Sequence, residues 1–525
     1  MPLLCRQVVK DSVLLVLGAL LYTLASPPYA WVWPAWFALT PLYLALYGKP
    51  FKTAFFYGFL YGALFCAGIT SWAYAAVTAY FSLSFPFNLF CTLLIYVIFV
   101  CPYTGLIAAL SCVLLRRGHP AGCWVGIPAL WVVGEFARSS FFAGFSWELL
   151  GHTQYRLLPL IQLADLTGVY GISFLLALSG YVAATVMLYW REGKNAPAPR
   201  RQFPGPALAG LAGAVLLVWG YGVIRLHALA SAPSLPPLTL AVVQGQIPQA
   251  QRWQRVRYAA TLAKYAAVTR RGLTATSPDL LVWPEFALGF YPDKEPLLRL
   301  HLQRLTRRLQ APLLFGAPRL EETHTGPHVY NSAYLFSPEG ELVDVYDKIR
   351  LVPFAEYRPL RLPALRFRAE DSPSEFTAGT RSTVFALPPS SFGVLICYEA
   401  TYPQLARRLV QGGAQFLVNI SNDTWLAAGG VAATSQHFSM VIFRAVENRR
   451  PLARAATAGV SGFVDPTGRP YQLSQAQEGV VIGHLTPRHE QTLYTRYGDW
   501  FVIACTAFAA VALVRSGRNR TEEGE

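Results

Sequence analysis

Apolar segments long enough to cross a membrane dominate the first 225 residues of this chain and return once near its end. An α-helix needs about 20 apolar residues to span a hydrocarbon core that is roughly 30 Å thick. The fifth segment is the weakest of the series because Glu135 and Arg138 crowd its end. The sequence therefore predicts an α-helical membrane bundle of about eight spans. Their apolar cores are Val13–Ala25, Ala30–Tyr47, Ala54–Val77, Phe87–Leu115, Cys123–Phe136, Tyr170–Trp190, Ala207–Ile224 and Phe501–Val514.

Basic residues indicate how such a bundle is oriented. The chain is 53% hydrophobic and 14% charged, with a formal net charge of +15. A nucleic-acid-binding protein gathers such charge on one face of a domain, whereas here Lys and Arg cluster in alternate loops, which marks those loops as cytoplasmic. We expect both termini in the cytoplasm, an uncleaved first span, and the residues between the seventh and eighth spans on the opposite side. The clusters are Arg6 with Lys10, Lys49 with Lys52, Arg116 with Arg117, Arg191 with Lys194, and Arg515 with Arg518.

The stretch from residue 226 to 495 has a different pattern of apolar and polar residues from the membrane segments. Short β-like runs alternate there with helical stretches and Gly/Pro turns, which is typical of an α/β domain. We therefore divide the chain into residues 1–225 with seven spans, residues 226–495 as one globular domain, and residues 496–525 as the last span and a cytoplasmic tail. The predicted strands are Leu238–Val243, Leu280–Trp283, Pro312–Gly316, Ser332–Phe336, Val394–Cys397 and Phe416–Ile420, with an amphipathic helix over Arg257–Arg271.

Three short motifs in this domain each place a reactive side chain at the end of a β-like run. They are Leu281-Val-Trp-Pro-Glu285, Tyr346-Asp-Lys348 with the following Leu351-Val-Pro-Phe354, and Leu395-Ile-Cys-Tyr-Glu399. Strand ends are where catalytic groups gather in α/β folds. Cys397 is also the one cysteine of eight that lies outside the hydrophobic segments. Singly, each reactive residue also fits an ordinary role: a core cysteine, a solvated lysine, or a charge at a helix N-terminus.

Taken together, the motifs W-P-E, Y-x-K-x-x-L-V-P-F-x-E and I-C-Y-E resemble the nitrilase superfamily, whose triad is Glu-Lys-Cys. A nitrilase-like domain, which has an α-β-β-α sandwich fold, joined to a multi-span bundle and a closing span is similar to the membrane-integrated branch, the apolipoprotein N-acyltransferases. The resemblance covers almost the whole chain. Further stretches that carry it are Val243-Gln-Gly-Gln-Ile-Pro-Gln249, Tyr330-Asn331-Ser332, Ser421-Asn-Asp-Thr-Trp425, Gln436-His-Phe438, Arg444–Pro451, Gly144–Trp147 and Gly168–Gly171.

The resemblance implies roles for the residues of the three motifs. Glu285 would be the general base, Lys348 the cation that stabilises an oxyanion, and Cys397 the nucleophile. A free thiol with a pKa of about 8.5 is only a few per cent ionised at neutral pH, so a nearby base and ammonium would raise its reactivity. The supporting residues would be Glu356, Tyr398, through its backbone N–H, and Glu399; a solvent-facing or purely local carboxylate remains the alternative for the two glutamates.

Weaker candidates line the substrate pocket by the same resemblance. Trp253 would be a gating or lipid-contacting aromatic, and His437 is expected to be structural because the triad already has a base. Many family members have Phe-Gly after the Ser-Asn-Asp-x-Trp motif, where this chain has Leu426-Ala427, and Ala455–Gly459 replaces a usually Asn-rich turn. No zinc-type ligand spacing or nucleotide motif is present, so we expect neither metal nor cofactor. The candidate pocket residues are Trp253, Asn422, Trp425 and Trp147.

The function that the resemblance implies is the last step of bacterial lipoprotein maturation. A fatty acyl chain would pass from a membrane phospholipid, through a thioester on Cys397, to the α-amine of a diacylglyceryl-lipoprotein acceptor. The enzyme would be a monomer in the bacterial inner membrane, with its catalytic domain in the periplasm and no nucleic acid as partner. Two alternatives remain at this stage: a membrane-anchored amidase or nitrilase that ends in water attack, and a transporter or lipid carrier with a regulatory thiol domain.

Overall fold

The structure of the protein is a computed structural model that describes residues 2–81, 84–117, 120–141, 144–192, 203–231, 235–273, 277–324, 326–358, 375–427, 429–475 and 477–522. The chain forms two compact units. One comprises Met1–Tyr74, Ser84–Ala230 and Tyr497–Glu525, and the other comprises Ala75–Leu83 and Ser231–Arg496.

Residues 2–231 form twelve described α-helices, as the apolar composition of this region requires. They are α1 (Pro2–Ala25), α2 (Pro34–Phe37), α3 (Thr40–Leu46), α4 (Phe51–Ile69), α5 (Trp72–Phe81), α6 (Phe87–Phe99), α7 (Cys101–Arg117), α8 (Pro120–Ser140), α9 (Leu158–Ile161), α10 (Ala164–Thr167), α11 (Val169–Glu192) and α12 (Gly205–Ser231).

The next part of the chain alternates strands and helices. The strands are β1 (Leu238–Gln244), β2 (Leu280–Val282), β3 (Leu313–Thr323), β4 (Gly326–Phe336), β5 (Leu342–Asp347), β6 (Val384–Leu387), β7 (Ser390–Ile396), β8 (Phe416–Ser421), β9 (Leu452–Ala456), β10 (Val460–Val464), β11 (Pro470–Gln475) and β12 (Gly479–Leu485). The helices are α13 (Gln249–Arg252), α14 (Tyr258–Gly272), α15 (Pro296–Leu309), α16 (Pro403–Gln411), α17 (Thr424–Ala427), α18 (Val431–Asn448) and α19 (Leu493–Tyr497), and α20 (Trp500–Glu522) ends the described chain.

The helices account for most of the expected membrane spans but do not give the count of eight. Five helices of the described chain are long and apolar enough to cross a membrane, and α6 with α7, bent by 40° at Val100, makes a sixth if the pair is one span. The second expected span, Ala30–Tyr47, is divided into the short helices α2 and α3, and the fifth lies in α8, which buries Glu135 and Arg138. The five helical stretches are Arg6–Ala25, Phe51–Ile69, Val169–Arg191, Gly205–Ser231 and Trp500–Gly517.

Close packing of α4 on α7 shows how the bundle is held together. A Cβ atom at Gly58 or Gly62 would collide with Thr104 of α7, so these two glycines, four residues apart, let the helices approach closely. Small residues at this spacing are typical of helix pairs in lipid, where packing replaces the hydrophobic effect. Large apolar side chains face outward instead, with Leu217 of α12 75% exposed and Ile503 of α20 70% exposed. Such outward apolar surface suits a lipid environment.

The unit that includes Ser231–Arg496 contains two six-stranded mixed sheets, and the strands have a similar arrangement in each. The first has the order β12-β1-β2-β3-β4-β5 and the second the order β11-β10-β9-β8-β7-β6. Strands β1, β2 and β3 are parallel in the first sheet, as are β7, β8 and β9 in the second, and antiparallel strands flank each parallel trio. All the strands and the helix predicted from the sequence in this region are confirmed.

Successive side chains along the strands of the first sheet face opposite sides of that sheet and belong to two different hydrophobic cores. Leu240, Val242 and Val282 of the first sheet share one core with Val394 and Ile420 of the second sheet. The intervening side chains of the first sheet pack with α14 and α15 in a second core. The central parallel strands are therefore buried on both faces, which is why they are continuous apolar runs in the sequence. The carboxyl ends of the parallel strands β2 and β7 carry the Glu285 and Cys397 motifs, and the Lys348 motif ends the edge strand β5.

Candidate active site

Glu285 follows the carboxyl end of β2 and is almost completely buried. The side chain is 3% exposed, and the chain turns sharply after it, since Phe286 has φ +47°. Gly316 on the neighbouring strand β3 makes room for this turn, because a Cβ there would lie 2.6 Å from the Glu285 Cα. Both carboxylate oxygens are held: Oε1 accepts from Lys348 and Asn331, and Oε2 accepts from the backbone N–H of Asn422 at 2.7 Å.

Lys348 lies between two carboxylates at the end of β5. Its Nζ is 3.1 Å from Glu285 Oε1 and 2.9 Å from Glu356 Oε1, and the ammonium is buried. Burial opposes the charge, but Glu285 and Glu356 outweigh it and raise the pKa of Lys348 well above its ordinary value. Lys348 is therefore a permanent cation. Glu356, expected as a supporting residue, is buried beside it rather than facing solvent.

Asn331 on β4 ties the two carboxylates together, a role that the sequence reasoning missed. Its Nδ2 donates to Glu285 Oε1 and to Glu356 Oε1, each at 2.7 Å. The backbone carbonyl of Asn331 also accepts from the N–H of Lys348 at 2.8 Å. The signal was available, because Asn331 lies in a motif that carries the family resemblance, but nothing local indicates that its amide faces two acids.

Cys397 stands at the turn between β7 and the following 3₁₀ helix Cys397–Thr401. Its φ of +51° is in the left-handed region, which is strained for a residue with a side chain. The thiol is 2% exposed and interacts electrostatically with both Glu285 and Lys348. Burial, with Glu285 and Asp423, raises the pKa of Cys397 against the opposing effect of Lys348. At neutral pH the resting group is a thiol, so attack requires a base that removes its proton.

Glu399 links the Cys397 turn to the Lys348 loop. Its Oε1 accepts from the Tyr346 hydroxyl at 2.7 Å and from the backbone N–H groups of Ile349 and Arg350, and its Oε2 accepts from the N–H of Ile396 at 2.8 Å. Burial raises the pKa of Glu399 to about 7 although these donors lower it. Glu399 thus connects the two loops directly and makes no ion pair with Lys348.

A buried network of Asp423, His437 and Arg454 lies beneath Cys397. His437 Nε2 is 3.1 Å from the Cys397 carbonyl, and His437 Nδ1 is 3.2 Å from both Asp423 Oδ1 and the Arg454 guanidinium. Arg454 also donates to Asp423 Oδ2 at 2.5 Å and to Asn419. Although burial opposes its charge, Arg454 and His437 hold the pKa of Asp423 well below its usual range.

The side chains of this network are spaced closely enough to hold a metal ion, but their existing partners do not favour one. The ligand atoms of Cys397, Asp423 and His437 lie within 4.8 Å of one another. Arg454 already supplies a cation to Asp423, and both imidazole nitrogens face hydrogen-bond partners. A divalent ion would have to displace a buried guanidinium, so the arrangement favours the structural role expected for His437.

Three of the remaining predicted residues lie close to Cys397 or Glu285 in the sequence or in the fold. Tyr398 is buried in the Cys397 turn and packs edge-on against Tyr402. Trp253 is buried and packs on Phe286, with ring centroids 5.1 Å apart. Asn422 acts through its backbone N–H on Glu285, while its side chain accepts from Thr424.

Two pocket candidates and the departures from the family pattern complete the set. Trp425 lies in the short helix α17 and is partly exposed. Trp147 belongs to the other unit, where it packs against Trp72. Leu426 is fully buried, whereas the side chain of Ala427 lies outside the described residues. Ala455–Gly459 begins at the buried end of β9, and a Cβ at Gly459 would approach Asp423 at 3.1 Å.

Comparison with known proteins covers both units. Residues 18–182 match the apolipoprotein N-acyltransferase N-terminal domain, and residues 239–493 match the carbon-nitrogen hydrolase family. An apolipoprotein N-acyltransferase of Geobacter metallireducens is 36% identical over 517 residues, which cover 98% of this chain and 96% of that protein. The chain belongs to the apolipoprotein N-acyltransferase family. This membership confirms the family predicted from the motifs, an acyltransferase branch of the nitrilase superfamily.

Two further proteins are similar to parts of this chain. An apolipoprotein N-acyltransferase of Azotobacter vinelandii is 33% identical over 495 residues, which cover 93% of this chain and 91% of that protein. Among solved structures, Nit3 of Saccharomyces cerevisiae, a member of branch 10 of the nitrilase superfamily, is similar over 49% of this chain and 93% of its own, with 21% identity and a TM-score of 0.38.

Proposed function

We propose that this protein transfers a fatty acyl chain from a membrane phospholipid to the α-amino group of the diacylglyceryl-cysteine at the N-terminus of a lipoprotein. The observation that carries the proposal is the buried group of Glu285, Lys348 and Glu356 beside the Cys397 thiol in a chain of this family. It supplies a base, a fixed cation and a nucleophile, which are the parts that acyl transfer through a thioester needs.

The first half-reaction forms the acyl-enzyme. Glu285 takes the proton of Cys397, and the thiolate attacks the ester carbonyl of the phospholipid. Lys348 stabilises the oxyanion, together with the backbone N–H of Tyr398. The ester C–O bond then breaks, and the lysophospholipid leaves as an alcohol that takes the proton from Glu285.

The second half-reaction passes the acyl chain to the amine. An α-amine with a pKa of about 8 is partly unprotonated at neutral pH and can attack the thioester. Glu285 accepts the proton that the amine loses, the C–S bond breaks, and the thiolate regains a proton as the amide forms. The amide is more stable than the ester that was consumed, so neither half-reaction needs ATP or a cofactor.

Lipid substrates give a reason for the membrane unit. We propose eight spans in all, with α2 and α3 together as a broken second span, and a four-layer α-β-β-α arrangement of the two sheets and their helices. The loop charges support cytoplasmic termini and a periplasmic catalytic domain, in a monomer of the bacterial inner membrane. Trp253, Asn422 and Trp425 would shape the substrate pocket of the α/β unit, and Trp147 is proposed as a substrate-contacting residue of the membrane unit.

Intact-protein mass spectrometry tests the acyl-enzyme directly. Purified protein incubated with phospholipid should gain the mass of one fatty acyl group on Cys397. Cys397→Ser should not gain a thioester, whereas Cys91→Ser, a change in helix α6, should be acylated like the wild type. An unmodified wild-type protein, or a Lys348→Ala variant that still N-acylates a diacylglyceryl peptide at full rate, would refute the proposal. Release of free fatty acid from the phospholipid without N-acylation would instead indicate a hydrolase that ends in water attack.

The topology has its own test. A periplasm-active reporter inserted at the β4–β5 turn, near residue 339, should be active, and one fused after residue 522 should be inactive. If the reporter near residue 339 is inactive, the orientation derived from the loop charges is wrong.

A further inference from the structure

Arg252 is a buried cation without a hydrogen-bond partner in the part of the chain that the structure describes. The residue is 1% exposed, and none of its three guanidinium nitrogens has a hydrogen-bond acceptor among the described residues. The other buried arginines around the nucleophile are paired: Arg444 with Glu447 at 2.7 Å, and Arg454 with Asp423 at 2.5 Å. An unpaired buried charge is strongly destabilising, so a missing counter-charge requires an explanation.

The position of Arg252 places this unpaired charge beside the candidate active site. Arg252 ends α13, and its backbone carbonyl lies directly against Gly289 in the segment that follows Glu285. The next residue, Trp253, packs on Phe286. Arg252 also interacts electrostatically with Glu285 and Cys397.

Glu285 is not a hydrogen-bonded partner of Arg252, because the donors to its carboxylate are Lys348, Asn331 and Asn422. Glu356 is likewise held by Lys348, Asn331 and the N–H of Val352. The acids nearest the nucleophile therefore leave Arg252 free for an anion from outside the chain.

We infer that Arg252 forms an anion subsite that binds the phosphodiester of the phospholipid acyl donor while Cys397 attacks its ester. This inference rests on the proposed function. A guanidinium is suited to two phosphate oxygens at once, because its N–H groups form a planar fork. Phosphate is also the charged group that glycerophospholipids share whatever their head group and acyl chains. Because the guanidinium is buried here, the same inference requires the Trp253 segment to move away from Phe286 when the donor binds.

Paired acyl donors separate binding of the phosphodiester from the chemistry at Cys397. Full-length wild type, Arg252→Met and Arg252→Lys are incubated in detergent with a phosphatidylethanolamine, or with the 4-nitrophenyl ester of a fatty acid, which has no phosphate. Thioester formation is followed by intact mass over a range of donor concentrations. Arg255→Met is the matched control, because Arg255 is three residues away but exposed and pairs with Glu295 on the surface.

Arg252→Met should raise the KM for the phospholipid by about 10- to 100-fold, the effect of losing a charge-assisted contact. Its reaction with the nitrophenyl ester and the alkylation of Cys397 by iodoacetamide should stay within about twofold of the wild type, because these probes carry no phosphate. Arg252→Lys should lie between the two, and Arg255→Met should match the wild type.

Three results would overturn the inference. Equal loss with both donors, or with iodoacetamide, would mean that Arg252 acts on the nucleophile rather than on the donor. No change in the phospholipid KM would mean that no subsite exists. Inhibition of the nitrophenyl ester reaction by inorganic phosphate in the wild type only, without a KM change for phospholipid, would assign the site to free phosphate. If Arg252→Met does not fold, Arg252→Lys must still show the selective KM increase. Failure of the wild type to react with phospholipid at all would refute the proposed function instead.

Discussion

The carboxylate of Glu285 accepts a hydrogen bond from the backbone N–H of Asn422, with Oε2 and N 2.7 Å apart. Glu285 follows β2 of the first sheet, and Asn422 follows β8 of the second. The candidate general base is therefore held by groups from both sheets, since Lys348 and Asn331 of the first sheet bind its other oxygen. Its position therefore depends on how the two sheets pack.

Glu285→Gln should abolish acyl-enzyme formation while leaving the fold intact. The amide fits the same space but takes up no proton, and loss of a general base lowers rates by about 10²- to 10⁴-fold. The rate of thioester formation on Cys397 measures the effect, with Glu295→Gln, which changes a surface ion pair, as the control. A Glu285→Gln protein that is acylated at the wild-type rate would show that another group takes the thiol proton.

Asn331→Asp should destabilise the protein more than its small change in volume suggests. The substitution replaces the amide that donates to Glu285 and Glu356 with a third carboxylate around one ammonium. Breaking such a buried arrangement costs about 3–5 kcal/mol. Thermal unfolding in detergent should show a lower Tm, and Tyr330→Phe, one residue away on β4, should leave it nearly unchanged. A Tm equal to the wild type would mean that the acids do not need the amide.

Arg454→Met should be more harmful than the double variant Arg454→Met with Asp423→Asn. Removing Arg454 alone leaves the buried carboxylate of Asp423 without its cation, whereas the double variant removes both charges. A double-mutant cycle of unfolding free energies should give a coupling of at least about 1 kcal/mol. Additive effects would argue against a direct ion pair.

Glu399 should make stability depend on pH in a defined direction. Burial raises its pKa from 4.5 in the unfolded chain to about 7, so the folded protein holds a proton that the unfolded chain has lost between these values. The unfolding free energy contributed by Glu399 is therefore highest below pH 4.5, falls as the pH rises to about 7, and is constant above that. The change is on the order of 3 kcal/mol.

Glu399→Gln provides the comparison for this pH effect, because its amide does not titrate. The difference in Tm between the wild type and Glu399→Gln should change in favour of Glu399→Gln as the pH rises from 5 to 7. A difference that is constant over this range would show that Glu399 keeps its ordinary pKa in the folded protein.

The local features of the candidate site could be predicted from the sequence. The reactive residues Glu285, Lys348 and Cys397 each end an apolar run, and strand ends at a sheet edge place such side chains near one another. The number of membrane spans is harder to predict from the sequence, because hydropathy alone does not indicate that residues 30–47 are divided into α2 and α3. A short helix and a full span have the same apolar composition, and only packing distinguishes them.

The sequence by itself determined the strands of the α/β unit and indicated the candidate reactive groups, because apolar periodicity and short motifs are local properties. Tertiary structure alone decided which partners these groups have. Glu285 contacts Lys348 across 63 positions of sequence and Asn422 across 137. Asn331 holds two acids that are 71 positions apart, from residue 285 to 356. Among the described residues no acid accepts a hydrogen bond from Arg252, which no sequence pattern reveals, because burial and hydrogen bonding depend on how distant segments pack.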